Sequence, residues 1–283
     1  MTSFDVVGTV VSNGPNSSLP IGAHVFSQSN VDNAQGGGLQ QYTTLPARWV
    51  REVPSNISDI EASTFPCNSF TSGVSLFGPA GLQIPLPGTA EAESTDYAAQ
   101  KLVIIGGGTN CGKLAIQFAR IAGIGQTITT ASLLGAEELK SYGATHVIDR
   151  KAADVKEQIR AIVGDELVYV YDTFTREDHT LAVSLLSNSK KGTLVRLIRG
   201  ETKVEKTVQD AKQQGWEDKV TFGAPAKAPE FADVFLDTFK DWVVNGLVKP
   251  SKINLVDGLD AEKINKAIDD MRDGLNAKPA IKL

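Results

Sequence analysis

Glycines crowd a short segment between an apolar run and an amphipathic run in the middle of the chain. The segment reads KLVIIGGGTNCG over residues 101–112, and Leu102–Ile105 is the apolar run. Small and apolar side chains then recur at helical spacing, at Leu114, Ala115, Phe118, Ala119 and Ala122. A strand, a tight loop and a helix in this order direct backbone N–H groups and the positive end of a helix dipole at one point, which suits a pyrophosphate. The pattern therefore predicts a dinucleotide site.

The glycine pattern departs from G-x-G-x-x-G at one position. It begins at Gly107 and ends at Gly112, but Thr109 stands at the middle glycine. A hydroxyl there can donate a hydrogen bond to a phosphate oxygen and still allow a compact turn. Because glycine loops without further context are weak signals, an ordinary tight turn between strand and helix stays an alternative.

The elements that must position this loop alternate along the chain. We predict strands at Gln126–Ala131, Thr145–Ile148, Leu167–Tyr171 and Thr193–Ile198, and helices at Leu134–Tyr142, Val155–Val163 and Thr180–Leu186. Such alternation predicts an α/β fold with a doubly wound parallel sheet, whose ligands bind at the carboxyl ends of the strands. The candidate site segments are therefore Gly106–Gly112, Thr130–Ser132, Asp149–Lys151, Asp172–Thr175 and Ile198–Gly200, with Ile198 as a predicted cofactor contact.

The end of the second strand bears on the choice of cofactor. A site for NAD usually has an acidic residue there to bind the ribose 2′-hydroxyl, whereas a 2′-phosphate needs hydroxyls and cations. This chain reads TITTASLLG with no carboxylate, Ser132 offers a hydroxyl, and Arg150 with Lys151 ends the next strand. We therefore predict NADPH, although Arg150 and Lys151 also fit a merely solvated loop.

Composition excludes several other classes of function. The 283 residues carry a net charge of −5 with a pI near 5.3, which argues against a nucleic-acid surface. No apolar run approaches the roughly 20 residues that cross a bilayer, and the start MTSFD lacks a secretory pattern, so we expect no membrane partner and a cytoplasmic location. Two distant cysteines, Cys67 and Cys111, and three scattered histidines predict no metal site.

Several stretches together resemble the medium-chain dehydrogenase/reductase superfamily, in its zinc-free quinone and enoyl reductase branch. The matching stretches are FDVVGTVVSNG, LPIGAHVF, GGLQQYTTLPARWVREVPSNIS, LFGPAGLQIPLPG, IIGGGTNCGKLAIQFARIAG, ELKSYGATHVIDRKAADV, VYVYDTF and INKAIDDMRDGLNAKPAIKL. Within this branch the chain is most similar to stand-alone enoyl reductases that work in trans with polyketide synthases.

The resemblance implies a Rossmann lobe over residues 78–245 and a GroES-like substrate lobe built from residues 1–77 and 246–283. It implies nucleotide contacts from the glycine loop and from the neighbouring strand ends, and a threonine near the nicotinamide. Carried onto this sequence, these positions are Thr109, Asn110, Cys111, Gly112, Ser132, Arg150 and Thr71. In relatives a tyrosine often stands at the position of Arg150, and Thr71 fits a packed helix residue equally well.

The implied activity is NADPH-dependent reduction of an activated carbon–carbon double bond in an enoyl thioester, enone or quinone, without zinc. The expected partners are a small-molecule substrate and a polyketide synthase or carrier protein. No general acid stands out, and Tyr42, on a predicted strand, is a weak candidate.

Relatives carry several dozen more residues before the segment that matches residues 4–14. We therefore expect a reduced substrate lobe, or a sequence that lacks its beginning. The alternative function is a nucleotide-binding or repurposed non-redox protein that acts on a natural-product intermediate or supports a partner enzyme.

Overall fold

The computed structural model describes residues 3–15, 17–29, 36–273 and 277–283. The chain divides into two compact units. One unit combines Met1–Phe70 with Ala232–Leu283, and the other is Thr71–Phe231. None of the described helices is both long and apolar enough to span a bilayer.

The first unit begins with a small antiparallel sheet. Its strands are Asp5–Thr9 (β1), His24–Gln28 (β2) and Arg51–Glu52 (β3), in the order β1-β2-β3. Helices Asp59–Ala62 (α1) and Pro66–Leu76 (α2) follow, and the second unit begins within α2, at Thr71. Ser58 caps α1, since its hydroxyl accepts from the Glu61 N–H while the Glu61 carboxylate accepts from the Ser58 N–H. The sheet fits a GroES-like lobe in reduced form.

The second unit contains a six-stranded parallel sheet. Its strands are Lys101–Ile105 (β4), Gln126–Ala131 (β5), His146–Asp149 (β6), Tyr169–Asp172 (β7), Gly192–Arg196 (β8) and Trp216–Val220 (β9). Its helices are Ala90–Glu93 (α3), Asn110–Ala122 (α4), Ala136–Tyr142 (α5), Val155–Val163 (α6), Thr180–Leu185 (α7) and Lys206–Asp210 (α8). The strand order is β6-β5-β4-β7-β8-β9, which is the order of a doubly wound dinucleotide fold. The predicted fold class is confirmed.

Apolar β-branched residues explain why these strands form a buried sheet. Val103, Ile128 and Val170 are fully buried on one face, and Ile159 and Val163 of α6 pack in the same core cluster. A strand that is covered on both faces reads as a nearly continuous apolar run, as β4 does.

The last elements of the chain are Pro229–Val244 (α9), Ile253–Asp257 (β10), Ala261–Arg272 (α10) and Lys278–Lys282 (β11). Strands β10 and β11 form a parallel pair. Phe235, Phe239 and Trp242 of α9 are buried, and the Phe239 ring meets that of Phe65 edge-on at 5.3 Å between centroids. Apolar residues at helical spacing in FADVFLDTFKDWVVNGL predict a stripe that faces the core, and these three rings of α9 are buried, whereas Val234 in the same stripe is 52% exposed.

Three local expectations are wrong. The prolines, small residues and acids of segment 78–100 predict a long surface loop, but Leu82, Ile84 and Leu86 in it are buried. Tyr42 lies in a bend rather than a strand, with 73% of its surface exposed. The sequence pattern predicts a polar helical segment over residues 201–219 and an edge strand that begins at Val220, but strand β9 runs from Trp216 to Val220 and ends there.

Candidate functional site

Strands β5 and β6 are added on one side of β4, and the chain then crosses to the other side of β4 to form β7, β8 and β9. This change of side creates a switch point between the carboxyl ends of β4 and β7. Ile105 and Asp172, the last residues of these strands, are aligned in the register. The glycine loop follows β4, so the structure places it beside this switch point. A crevice outside the strand ends at such a point is where open α/β sheets bind their ligands.

Three of the loop's glycines are required by close packing. A Cβ at Gly107 would lie 2.0 Å from the Thr129 hydroxyl oxygen, and a Cβ at Gly112 would lie 2.4 Å from the Gly106 carbonyl oxygen. Gly106 itself has a φ of +86°, which disfavours other residues. Nothing lies within 4 Å of a Cβ built at Gly108. The loop is thus compact on its inner side and open at Gly108.

Backbone donors at the start of α4 are available for an anion. Among the described residues, the N–H groups of Gly108 and Asn110 have no hydrogen-bond partner. Helix α4 is 13 residues long, so the partial positive charge at its first turn adds to these donors. Cys111 lies in that turn, and its carbonyl accepts from the Ser72 hydroxyl at 2.9 Å.

The Thr109 hydroxyl caps α4. It accepts from the Gly112 N–H at 2.9 Å and lies 2.9 Å from the Thr173 hydroxyl. The Thr173 proton points to the carbonyl oxygens of Ile105 and Gly106, at 2.9 and 3.0 Å. Because Thr173 has only one proton, Thr109 must donate to Thr173. The predicted donation from Thr109 to a phosphate stays a prediction, and it would require the Thr109 proton to leave Thr173.

Ser132 and Arg150 come together at the ends of β5 and β6. The Arg150 N–H donates to the Ala131 carbonyl at 3.0 Å, which places Arg150 beside Ser132. The Ser132 hydroxyl accepts from the Leu134 N–H at 3.4 Å, so its own proton stays available. The exposed Arg150 side chain has no partner among the described residues. A hydroxyl and an uncommitted guanidinium on neighbouring strand ends suit a phosphate group.

Thr71 and Ile198 lie at the opposite half of this edge. A Cβ at Gly223, which follows β9, would lie 1.8 Å from the Thr71 hydroxyl oxygen, so Thr71 packs tightly at the end of β9. Ile198 follows β8, and its carbonyl accepts from Nη1 of Arg196 at 2.6 Å.

A buried hydrogen bond between a carboxylate and a histidine lies beneath the end of β7. The Asp172 carboxylate is 3.2 Å from Nδ1 of His179, and both side chains are fully buried. Burial acts to raise the pKa of Asp172, but hydrogen bonds from His179 and from two backbone N–H groups outweigh it and lower the pKa. Asp172 is therefore ionised and Nδ1 of His179 donates. This pair holds the turn after β7.

The chain is similar to oxidoreductases in sequence and in fold. The model of the family described as "Zinc-binding dehydrogenase" matches residues 111–213. A trans-enoyl reductase of Penicillium crustosum is 29% identical over 185 residues, 62% of this chain and 50% of the relative. One of Talaromyces variabilis is 34% identical over 160 residues, 56% of this chain and 42% of the relative. A mycobacterial protein solved in complex with NADPH superposes with a TM-score of 0.74 at 18% identity, over 99% of this chain and 81% of that protein. The resemblance to medium-chain dehydrogenases/reductases is confirmed.

The chain spans about half the length of the curated relatives that it matches, 50% and 42% in these two cases. Within the described residues, no group of three or more His, Cys, Asp and Glu side chains is placed to hold a metal ion.

Sequence reasoning missed two charged residues at this edge. Arg196 ends β8 and is only 4% exposed, and Asp218 lies in β9 beside it. A lone arginine at the end of the apolar run GTLVR was the available signal, because a buried cation needs an anionic partner. The identity of that partner is a property of the fold.

Proposed function

We propose that the second unit binds NADPH along the carboxyl edge of its sheet, and that the chain reduces an activated carbon–carbon double bond. The observation that carries this proposal is the set of uncommitted donors at one edge. The N–H groups of Gly108 and Asn110 follow β4, and the Arg150 guanidinium follows β6, two strands away along the same edge.

The residues at this edge fit the three parts of the cofactor. Asn110 and Cys111 would hold the pyrophosphate at the start of α4. Gly107 and Gly112 would allow the tight turn that carries it, since a Cβ at either position would collide with Thr129 or with the Gly106 carbonyl. Ser132 and Arg150 would hold the 2′-phosphate. Thr71 and Ile198 would line the nicotinamide half.

The chemistry that a reduced nicotinamide supplies is hydride transfer to an electron-poor carbon. This chain's own contribution is to bind and orient the cofactor with backbone donors that need no rearrangement. The substrate would be an enoyl thioester, an enone or a quinone, presented as a small molecule or by a polyketide synthase or carrier protein. The trans-enoyl reductases among the relatives support this substrate class.

The first experiment compares NADPH and NADH binding in the parent and in Arg150→Ala. Losing one charge-assisted phosphate contact costs roughly 1.5 to 3 kcal/mol, so NADPH should bind at least about tenfold more weakly while NADH binding is nearly unchanged. Lys191→Ala is the control, since it removes the same charge at the start of β8, on the opposite edge. Equal losses for both cofactors would remove Arg150 from the 2′-phosphate site.

The second experiment follows NADPH oxidation with an enone, a quinone and an enoyl thioester. Turnover with at least one of them is expected. A parent protein that binds neither cofactor would contradict the proposal as a whole, whereas binding without turnover would favour the repurposed, non-redox function.

A further inference from the structure

Arg196 and Asp218 form a two-pronged ion pair at the nicotinamide half of the edge. Nε of Arg196 donates to Oδ1 of Asp218 at 2.8 Å, and Nη2 donates to Oδ2 at 3.0 Å. The Arg196 side chain is 5% exposed and that of Asp218 is 26% exposed. A planar guanidinium matches a carboxylate in this way, and a lysine cannot reproduce the geometry.

The same pair ties down the chain after β8. Nη1 of Arg196 donates to the Ile198 carbonyl at 2.6 Å, and Nη2 donates to the Gly200 carbonyl at 3.0 Å. The Thr202 hydroxyl donates to Oδ2 of Asp218. Residues 198–202, which we call the β8 loop, are thus fixed at three points.

The ionised state of Asp218 supports its pairing with Arg196. Burial acts to raise the pKa of Asp218, but hydrogen bonds from Arg196 and Thr202 outweigh it, so the pKa is lowered and the carboxylate is ionised. The guanidinium therefore always has an anion to hold it in place. Two of its three remaining N–H groups donate to the β8 loop.

The orientation of the β8 loop has a consequence for its backbone donors. Its Ile198 and Gly200 carbonyls are occupied by Arg196, while the N–H groups of Ile198 and Gly200 have no partner among the described residues. An amide oxygen is the natural acceptor for such donors. The carboxamide of a nicotinamide carries one.

We propose that Arg196 and Asp218 are positioning residues that present the β8 loop's N–H groups to the nicotinamide carboxamide. This inference rests on the proposed function. It adds that the nicotinamide half is ordered by an ion pair within the sheet, independently of the contacts that hold the adenosine half at Ser132 and Arg150.

The test uses two ligands that share only the adenosine half, NADPH and 2′,5′-ADP. In Arg196→Lys the charge remains but the fork is lost. We expect NADPH to bind about tenfold more weakly, its nicotinamide fluorescence on binding to change less, and 2′,5′-ADP to bind within twofold of the parent.

Arg160→Lys is the matched control. Arg160 also pairs with a carboxylate, Asp165, and donates to the Gly164 carbonyl at 2.9 Å, but it lies at the end of α6 on the opposite edge. This substitution should lower the melting temperature and leave the affinities for both ligands unchanged.

Each outcome decides between the possibilities. If Arg196→Lys weakens both ligands equally, or neither, Arg196 is only structural and the inference is wrong. If Arg196→Lys does not fold, Thr202→Val removes one attachment of the loop, and a two- to threefold loss for NADPH alone is required. If the parent binds neither ligand, the proposed function itself fails.

Discussion

The two edges of the six-stranded sheet both carry partly buried charges, but they differ in what those charges leave open. At the amino edge the Asp165 carboxylate accepts from two backbone N–H groups, two serine hydroxyls and Arg160. Lys212 donates to the Leu186 carbonyl at 2.6 Å and to Asn188 at 2.9 Å. At the carboxyl edge, by contrast, Gly108, Asn110 and Arg150 keep donors without partners among the described residues.

This difference shows that a buried charge does not by itself mark a binding site. The amino-edge cluster of Arg160, Asp165 and Lys212 is a closed network that joins loops and strands. The carboxyl edge combines a closed network, Arg196 with Asp218, with open donors after β4 and β6 and with the N–H groups of Ile198 and Gly200 after β8, which have no partner among the described residues. The proposed binding function is therefore assigned to the open donors, because they have hydrogen bonds left for a ligand.

Substitutions in the glycine loop at the carboxyl edge should change NADPH binding more than any others. Gly112→Val should abolish NADPH binding, because even a Cβ there lies 2.4 Å from a backbone oxygen that cannot move aside. Gly108→Ala is the matched control, since its Cβ meets open space. Calorimetric binding and thermal melting should be followed together. If Gly112→Val binds NADPH as tightly as the parent and has the same melting temperature, the glycine loop is only a turn and not a dinucleotide site.

At the amino edge we expect a loss of stability without a loss of binding. Asp165→Ala removes an acceptor that five donors share, which should cost about 2 kcal/mol after allowing for its 40% exposed side chain. These hydrogen bonds lower the pKa of Asp165, so the stabilisation is present above pH about 4 and is lost as the pH falls further. Below pH about 4, the melting temperature of the parent should therefore fall more steeply with decreasing pH than that of Asp165→Ala. A weaker affinity for NADPH in folded Asp165→Ala would contradict the separation of the edges.

Removing the Thr109 hydroxyl should have a smaller effect, and it tests whether this group only caps α4 or also contacts the ligand. Thr109→Val removes the cap of α4 and should cost about 1 kcal/mol of stability. Thr109→Ser keeps the hydroxyl and should restore the melting temperature. If capping is its main role, NADPH affinity per folded molecule should fall less than twofold. A tenfold loss in Thr109→Val, restored in Thr109→Ser, would instead show that the hydroxyl contacts a phosphate.

The sequence predicted the central sheet well because its strands are apolar and its helices strongly periodic. Strand β5 and helix α6 have the bounds that the patterns indicated, Gln126–Ala131 and Val155–Val163. Strand β9 was missed because WEDKV is an edge strand with polar residues, which resembles the helical segments around it. Edge strands lack the continuous apolar signal of a buried one.

The candidate site was predictable only where chemistry is local in sequence. The glycine loop and the Ser132–Arg150 pair follow from strand ends, since parallel strands bring their carboxyl ends to one edge. The Arg196–Asp218 pair joins residues on two strands, and the role of Thr173 depends on the neighbouring strand β4. Neither contact exists until the sheet has formed, so residue types alone could not reveal them.

The pH dependence of stability at Lys212 should be the smallest of these effects, and it tests how well the amino-edge cluster excludes water. Burial lowers its pKa to about 8, Arg160 and Lys156 add to the decrease, and Asp165 opposes it. Between pH 8 and the unfolded pKa near 10.4 the unfolded chain binds more protons, so stability contributed by this group rises with pH. From pH 7 to 9 the parent should gain at most about 1 kcal/mol relative to Lys212→Met, measured by urea unfolding. The variant also loses two hydrogen bonds, but that loss is independent of pH and shifts the whole curve. A parent and variant with parallel curves would show that Lys212 titrates normally, and that the amino edge is more open to water than its hydrogen bonds indicate.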